Sequence, residues 1–253
     1  MKKGELKLKR VSKCFKGFWA VQDVTARFLP ERITGLIGPN GAGKTTIFHI
    51  ITGELAPDKG DVIYNGHSIK GLAPWQISRL GIGRMFQDVR IFPKLSVMEN
   101  VIVALQRPKE ETPFYALTHW HKNKNKDALK WLEFVGLAEQ CHKKAEDLSY
   151  GQQKLLALAR LLARGFDLLL LDEPVAGISI PMVEKILRLL RELTERWNKT
   201  IIIIEHNMGA ILDATDWVYF MNEGRIYFSG RPDHVLGAKE VKELYLGLVK
   251  EKR

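Results

Sequence analysis

The sequence predicts an α/β fold: a mostly parallel central sheet, an antiparallel β part at the N-terminus and a helical segment inserted between strands of the sheet. Three observations predict it. Two short, uninterrupted apolar runs, Leu168 to Leu171 and Ile201 to Ile204, have the length and composition of parallel strands buried on both faces. Residues from about Leu6 to Phe28 instead alternate apolar and polar side chains around short turn signals, as antiparallel strands with one wet face do. Between these regions, Ile33-Thr34-Gly35-Leu36-Ile37 runs into a glycine-rich loop and then a helix-compatible stretch, Thr45 to Ile51, so strand, loop and helix follow in that order.

The remaining elements follow along the chain. Asp61 to Tyr64 reads as a further strand. From about Asp88 to Gly165 the pattern is mainly helical, with helices at Val97 to Leu105 and Lys126 to Val135, and Pro108 and Pro113 marking a break. Ser149 followed by Gln152 forms a capping box that opens an apolar helix from Leu155 to Leu162. Near the end, Val241, Leu244, Tyr245 and Leu248 recur at helical spacing, so a short amphipathic helix packs back on the body or on a partner. The expected organisation is a single domain over 1–253. Its core comprises 1–88 and 166–230, the helical insertion 89–165, and the C-terminal helix 231–253.

Composition narrows the function classes. With 45% hydrophobic and 27% charged residues in 253, neither a disordered nor a fibrous chain is indicated. Every apolar run stops well short of the roughly 20 residues a membrane span needs. The N-terminus alternates charge with apolar residues and lacks a secretory signal, so a cytosolic location is expected. Cys14 and Cys141 form no C-x-x-C pattern, which argues against a zinc site or a structural disulfide. The net charge of +10 suits nucleic acid, an anionic membrane surface or phosphate-bearing ligands equally. The densest basic stretch, His119 to Lys126, reads as a solvated face; direct nucleic-acid binding is not expected.

Four sets of residues carry chemistry. Gly38-Pro39-Asn40-Gly41-Ala42-Gly43-Lys44-Thr45 matches G-x-x-x-x-G-K-[ST] between a predicted strand and a predicted helix, the context that motif requires. Its glycines let the backbone curl so that N–H groups point at phosphate oxygens, and the helix presents its positive end to the same anion. Lys44 supplies charge for the outer phosphates, Thr45 a hydroxyl for magnesium, and Thr46 joins the nucleotide-contacting set. Asp172-Glu173 stands at the carboxyl end of a buried strand, where ligands bind in open parallel sheets. Asp172 suits magnesium, and Glu173 suits polarising the water that attacks the terminal phosphate. His206 emerges at the end of the next buried strand, within reach of a terminal phosphate. Gln87 is a candidate ligand for magnesium or the attacking water.

Leu148-Ser149-Tyr150-Gly151-Gln152-Gln153 resembles the signature sequence of ATP-binding cassette (ABC) proteins, and it stands shortly before the acid pair, as in that family. The resemblance covers nearly the whole chain and implies a P-loop NTPase of ABC type that binds and hydrolyses ATP with Mg2+. Ser149, Gly151 and Gln152 then belong to a helix tip that contacts ATP bound to a second ABC ATPase subunit, in a head-to-tail pair. Tyr150 stands where the general signature has glycine. Phe15 matches the aromatic position that stacks on adenine, although core packing explains a single Phe in a strand as well. Gln87, Asp172, Glu173 and His206 fall on the family's glutamine-loop, magnesium, catalytic-base and switch positions. Ser179 occupies a place where many members carry an interface aspartate.

The combination of Gly81 to Gln87, Glu173 to Gly177 and Tyr245-Leu246-Gly247 resembles importers of branched-chain amino acids and, close behind, of urea. Lipopolysaccharide-export ATPases share the terminal motif. The resemblance implies a peripheral protein on the inner face of the cell membrane, partnered by integral membrane permease subunits seated near Gln87 and the helical insertion. Trp75, Phe92 and Phe114 fit either that docking surface or, more commonly for such side chains, the core. The rival class is a nucleic-acid-associated cassette ATPase. It calls for a second cassette, a coiled-coil arm or a zinc insertion, none of which the sequence contains.

Overall fold

The protein is described here from a computed structural model over residues 4–106 and 122–246. A six-stranded sheet forms its centre, in the order β10-β9-β3-β8-β7-β6. These strands are β3 (Ile33–Ile37), β6 (Ile82–Met85), β7 (Leu168–Asp172), β8 (Thr200–Ile204), β9 (Trp217–Asn222) and β10 (Arg225–Gly230). All neighbouring pairs are parallel except the edge hairpin of β9 and β10. A second, antiparallel sheet joins β1 (Leu6–Phe15), β2 (Phe18–Phe28), β4 (Lys59–Tyr64) and β5 (His67–Ser68) in the order β2-β1-β4-β5. The strand expected at Asp61 to Tyr64 therefore belongs to the antiparallel part.

The two apolar runs behave as strands buried on both faces. Leu168, Leu170, Ile202 and Ile204 pack with Leu6, Leu8, Phe28 and with Ile47, Phe48 and Ile51 of α1 (Lys44–Ile51), between the two sheets. Leu169, Leu171, Ile201 and Ile203 face the other way, into a core completed by helices. Alternate side chains of one strand thus feed two different cores, which is why every position has to be apolar.

The helical region begins with α3 (Val97–Leu105), after the short α2 (Pro74–Arg79). Ser96 and Glu99 cap it reciprocally, at 3.1 and 2.7 Å. The fully buried Asn100 bonds both the N–H and the C=O of Phe92, closing the preceding loop. Beyond it come α4 (Lys122–Val135) and α5 (Tyr150–Ala163). Trp131 and Phe134 of α4 pack on Trp197, with ring centroids 5.0 and 5.8 Å away. Trp197 follows α6 (Ile180–Glu195), so this aromatic cluster ties the helical region to the body of the chain. Helices α7 (Met208–Ala214), α8 (Pro232–Gly237) and α9 (Lys239–Leu246) complete the described chain.

Several elements depart from the sequence expectations. β6, β9, β10 and the long α6 have no counterpart there. Trp75 and Phe92 are 58% and 45% exposed, so neither is a core side chain; Phe114 lies outside the described residues. So do Pro108, Pro113, the start of the basic stretch (His119, Trp120 and His121), and Gly247 and Leu248 of the terminal pattern; Lys122 to Lys126 belong to α4. Among the described residues, no helix is long and apolar enough to cross a membrane.

Candidate functional site

Four parallel strands deliver their carboxyl ends to one edge of the sheet. In register, Leu36 of β3 pairs with Ile204 of β8, Ile204 with Asp172 of β7, and Leu171 with Met85 of β6. Just beyond these ends stand the glycine-rich loop, Glu173 directly after β7, and His206 and Gln87, each two residues past its strand, β8 and β6. The unexpected strand β6 is what brings Gln87 to this edge.

The loop from Gly38 to Gly43 is a backbone cradle. Gly43 caps α1 in the left-handed region, with φ 99°. A Cβ there would collide with the carbonyl of Ala20, and one on Gly38 (φ 148°) with the carbonyl of Met221. Only glycine fits both places. The side chain of Lys44 curls back through the loop: its ammonium donates to the Gly38 and Pro39 carbonyls at 2.7 and 2.8 Å. Burial pulls its pKa down to about 8, against the opposing pull of the Glu173 and Asp172 carboxylates. A partly desolvated ammonium on a glycine-rich loop at a helix N-terminus is suited to receive an anion. Thr45 and Thr46 follow on the first turn of α1, Thr45 exposed.

The acid pair is held in two different ways. Asp172, 7% exposed at its side chain, takes Arg84 as its partner: Arg84 Nη2 lies 2.8 Å from Oδ2. Glu173 sits at φ 49°, a left-handed conformation uncommon for a long side chain and a place where strain is stored. Its Oε2 accepts from Gln87 Nε2 at 2.9 Å, and its Oε1 lies 3.2 Å from His206 Nε2. The structure therefore gathers Gln87, Glu173 and His206 into one hydrogen-bonded cluster. Lys44 is close enough to depress the pKa of His206; burial is the larger cause, and Glu173 pulls the other way. Asp172 and the Thr45 hydroxyl form a hard-oxygen donor set of the kind magnesium uses alongside substrate phosphates.

Phe15 ends β1 at 41% exposure, so it is not a core residue. The tip of its hairpin lies beside the cradle, because Ala20 near the start of β2 abuts Gly43. Ser149 and Gln152 complete the capping box at the start of α5, with bonds of 3.0 and 3.3 Å. Ser149 is exposed; this helix tip is not buried in its own subunit. Gly151 packs on Met182 and Ile178, and Tyr150 lies over Gly177. Ser179 is the N-cap of α6 but makes no side-chain cap bond.

Two polar side chains near the acids escaped sequence reasoning. Arg84 lies in a four-residue strand, and its neighbours Gly83 and Met85 gave no sign of a buried charge. Lys154, 1% exposed, donates to the Glu173 carbonyl at 2.6 Å. A lysine on the inner face of an otherwise apolar helix was the available signal, since lysine is almost never buried without a partner. Beside Gln87 a groove of about 380 Å³ opens, lined by residues including Phe86, Asp88, Phe92, Arg160 and Phe166. Arg90 stacks on Phe86 at 3.7 Å to the ring centroid, and Arg160 lies 4.9 Å over Phe92.

Residues 21–176 match the family described as ABC transporter. The chain belongs to that family. It is an ATP-binding cassette that binds and hydrolyses ATP as a transporter subunit. A shorter match, residues 143–213, is to an AAA domain described as a putative AbiEii toxin of a type IV toxin–antitoxin system. The cassette is 36% identical to the high-affinity branched-chain amino acid transport ATP-binding protein LivG of Escherichia coli (strain K12), over 92% of this chain and 94% of that one. It is 31% identical to the lipopolysaccharide export system ATP-binding protein LptB of Haemophilus influenzae, over 96% and 97%. Among solved structures, the ADP conformation of MJ1267, an ATP-binding cassette of an ABC transporter, superposes with a TM-score of 0.86 at 32% identity, covering 96% of this chain and 98% of that one. The dimeric structure of MJ0796, a bacterial ABC transporter cassette, does so with a TM-score of 0.77 at 26% identity, covering 90% and 98%.

Proposed function

We propose that this cassette energises uptake of branched-chain amino acids, or of a similar small solute, through separate membrane subunits. The observation that carries this reading is the 36% identity to LivG, which runs along nearly all of both chains. A second reading, lipopolysaccharide export, is favoured by the 31% identity to LptB over a similar span.

In the proposed mechanism, the loop from Gly38 to Thr46 holds the phosphates of ATP through the Lys44 ammonium and backbone N–H groups such as those of Asn40, Gly41, Ala42 and Gly43, with Pro39, which has no N–H, shaping the turn and Phe15 stacked on the adenine. Asp172, Thr45 and Gln87 hold magnesium, whose charge offsets that of the phosphates when it is bound. Glu173 is the base that takes a proton from the attacking water, and His206 contacts the terminal phosphate. Support comes from the hydrogen-bonded cluster of Glu173, Gln87 and His206 beside the phosphate cradle. Ser149, which is exposed, with the buried Gly151 and the half-buried Gln152 behind it, forms the helix tip that seals the nucleotide of a second cassette, an arrangement supported by the dimeric MJ0796 cassette. The groove beside Gln87, with the half-exposed Phe92 in its wall, is the proposed seat of a permease subunit, which makes the cassette a peripheral protein on the inner face of the membrane. On this reading residues 1–253 form one domain whose helical insertion spans 89–165.

Purification of the cassette with its membrane subunits from detergent extracts, followed by ATP turnover in proteoliposomes, tests the proposal. Stimulation by leucine, isoleucine or valine delivered with a binding protein is the expected result. Stimulation by lipopolysaccharide instead overturns the importer reading in favour of export.

A further inference from the structure

Lys154 lies on the inward face of α5, 1% exposed, amid leucines that form the helical core. Packing alone does not call for a lysine there: a methionine fills the same space without desolvating a charge. Its ammonium donates to the carbonyl of Glu173 at 2.6 Å and lies 5.4 Å from the centroid of the Tyr150 ring. That carbonyl also accepts the Ala176 N–H at a longer 3.3 Å, while the Glu173 N–H donates to the Ile204 carbonyl at 2.9 Å. The bonds fix the peptide groups on both sides of a residue held at φ 49°, a conformation that persists only where its surroundings impose it.

The other side of this loop is fixed by a second buried charge. Glu205, 2% exposed, accepts the Val175 N–H at 2.8 Å through Oε1 and its neighbour His206 N–H at 3.2 Å through Oε2. Burial raises the pKa of Glu205 and lowers that of Lys154, and the Glu205 carboxylate favours the charged form of Lys154. A buried lysine and a buried glutamate thus grip the backbone on either side of Pro174.

We propose that Lys154 is a positioning residue for Glu173: by holding the Glu173 carbonyl it sets the backbone that aims the carboxylate, and it ties that aim to the helix beginning at Ser149. This rests on the reading of Glu173 as the base. Lys154 and Ser149 share one continuous capped helix start, so a displacement of the tip as it closes on a neighbouring cassette's nucleotide is carried to the Glu173 carbonyl of its own chain.

The test compares Lys154→Met, Lys154→Arg and Glu173→Gln in the full-length protein, measuring kcat and KM for ATP hydrolysis, Kd for ATP, and Tm. Lys154→Met is expected to lower kcat by about 10²-fold, the effect of an ångström-scale misplacement of a reacting group. Its Kd for ATP stays within about twofold of wild type, because the phosphate cradle is untouched. Lys154→Arg, which keeps a buried donor, recovers most of the lost kcat. Should Lys154→Met not fold, Lys154→Met/Glu205→Gln removes both buried charges and is expected to show the same kcat loss at unchanged Kd. A folded variant lacking Lys154 with wild-type kcat, or one whose loss lies wholly in Kd, overturns the inference. If Glu173→Gln has lost turnover in that case, the base assignment stands; if Glu173→Gln turns over normally, the base assignment falls and takes the inference with it.

Discussion

Arg84 Nη2 lies 2.8 Å from Asp172 Oδ2, and the two side chains are 5% and 7% exposed. The guanidinium is stacked 4.7 Å over the ring of Phe86 and also reaches Glu54 at 3.3 Å. A buried carboxylate stripped of its partner is left as an uncompensated charge, and breaking such a pair costs about 3–5 kcal/mol. Arg84→Met is therefore expected to lower the unfolding free energy by about 3 kcal/mol in a urea titration. In that background Asp172→Asn should cost less than it does alone. Strict additivity of the two substitutions would show that the pair is energetically idle.

Lys44 has a pKa of about 8 with burial as its main cause, and bound phosphates favour its charged form. The sign follows from linkage: below about pH 8 the lysine is already charged, so ATP affinity is flat there. Above it the free protein must take up a proton to bind, and affinity falls as pH rises towards the ordinary lysine value. Calorimetric titration at pH 9 in buffers of different ionisation enthalpy should detect net proton uptake on ATP binding. Proton release, or none, would contradict the assignment of Lys44 to the phosphates.

His206 has its pKa lowered, first by burial and then by the charge of Lys44, while Glu173 opposes both. A histidine whose folded value lies below 6.5 contributes stability above that unfolded value and loses it as pH falls through the folded one. An NMR titration of the imidazole should give a midpoint below 6.5, and Glu173→Gln should move it lower still. A midpoint that rises in Glu173→Gln would mean that the carboxylate does not act on this ring.

Ser149 accepts the Gln152 N–H at 3.3 Å and caps α5. Ser149→Ala removes that acceptor and is expected to cost about 1 kcal/mol of stability. On the proposed reading the hydroxyl also faces a second cassette's nucleotide, so Ser149→Asn, which keeps a cap acceptor but lacks the hydroxyl, should lower turnover while holding Tm near the wild-type value. Wild-type turnover in Ser149→Asn would leave Ser149 as a cap alone.

The fold was legible where side-chain periodicity was strong. Leu168 to Leu171 and Ile201 to Ile204 announced strands covered on both faces, and Ser149 with Gln152 announced the start of the helix that carries Leu155 to Leu162. β6 was not legible, because Ile82-Gly83-Arg84-Met85 shows neither an apolar run nor alternation; the strand exists through its pairing with β7. The β9–β10 hairpin turns at Glu223 and Gly224, both at positive φ, and Gly224 between apolar stretches is its trace in the sequence. At the site, the motif residues announce themselves by position at strand ends. Arg84 and Lys154 do not, since their roles arise from long-range contacts, with Asp172 across β6 and β7 and with the Glu173 carbonyl across the core. Phe92 looked like a core aromatic by residue type and is exposed on a groove because Asn100 anchors its backbone instead of its ring.

The most direct test of the central claim is steady-state ATP hydrolysis by full-length Glu173→Gln, with ATP binding measured on the same sample. Retained ATP, with turnover lower by about 10²–10⁴-fold, is the expected result for loss of a general base. Hydrolysis at the wild-type rate would remove Glu173 from the chemistry and contradict the mechanism proposed for this cassette.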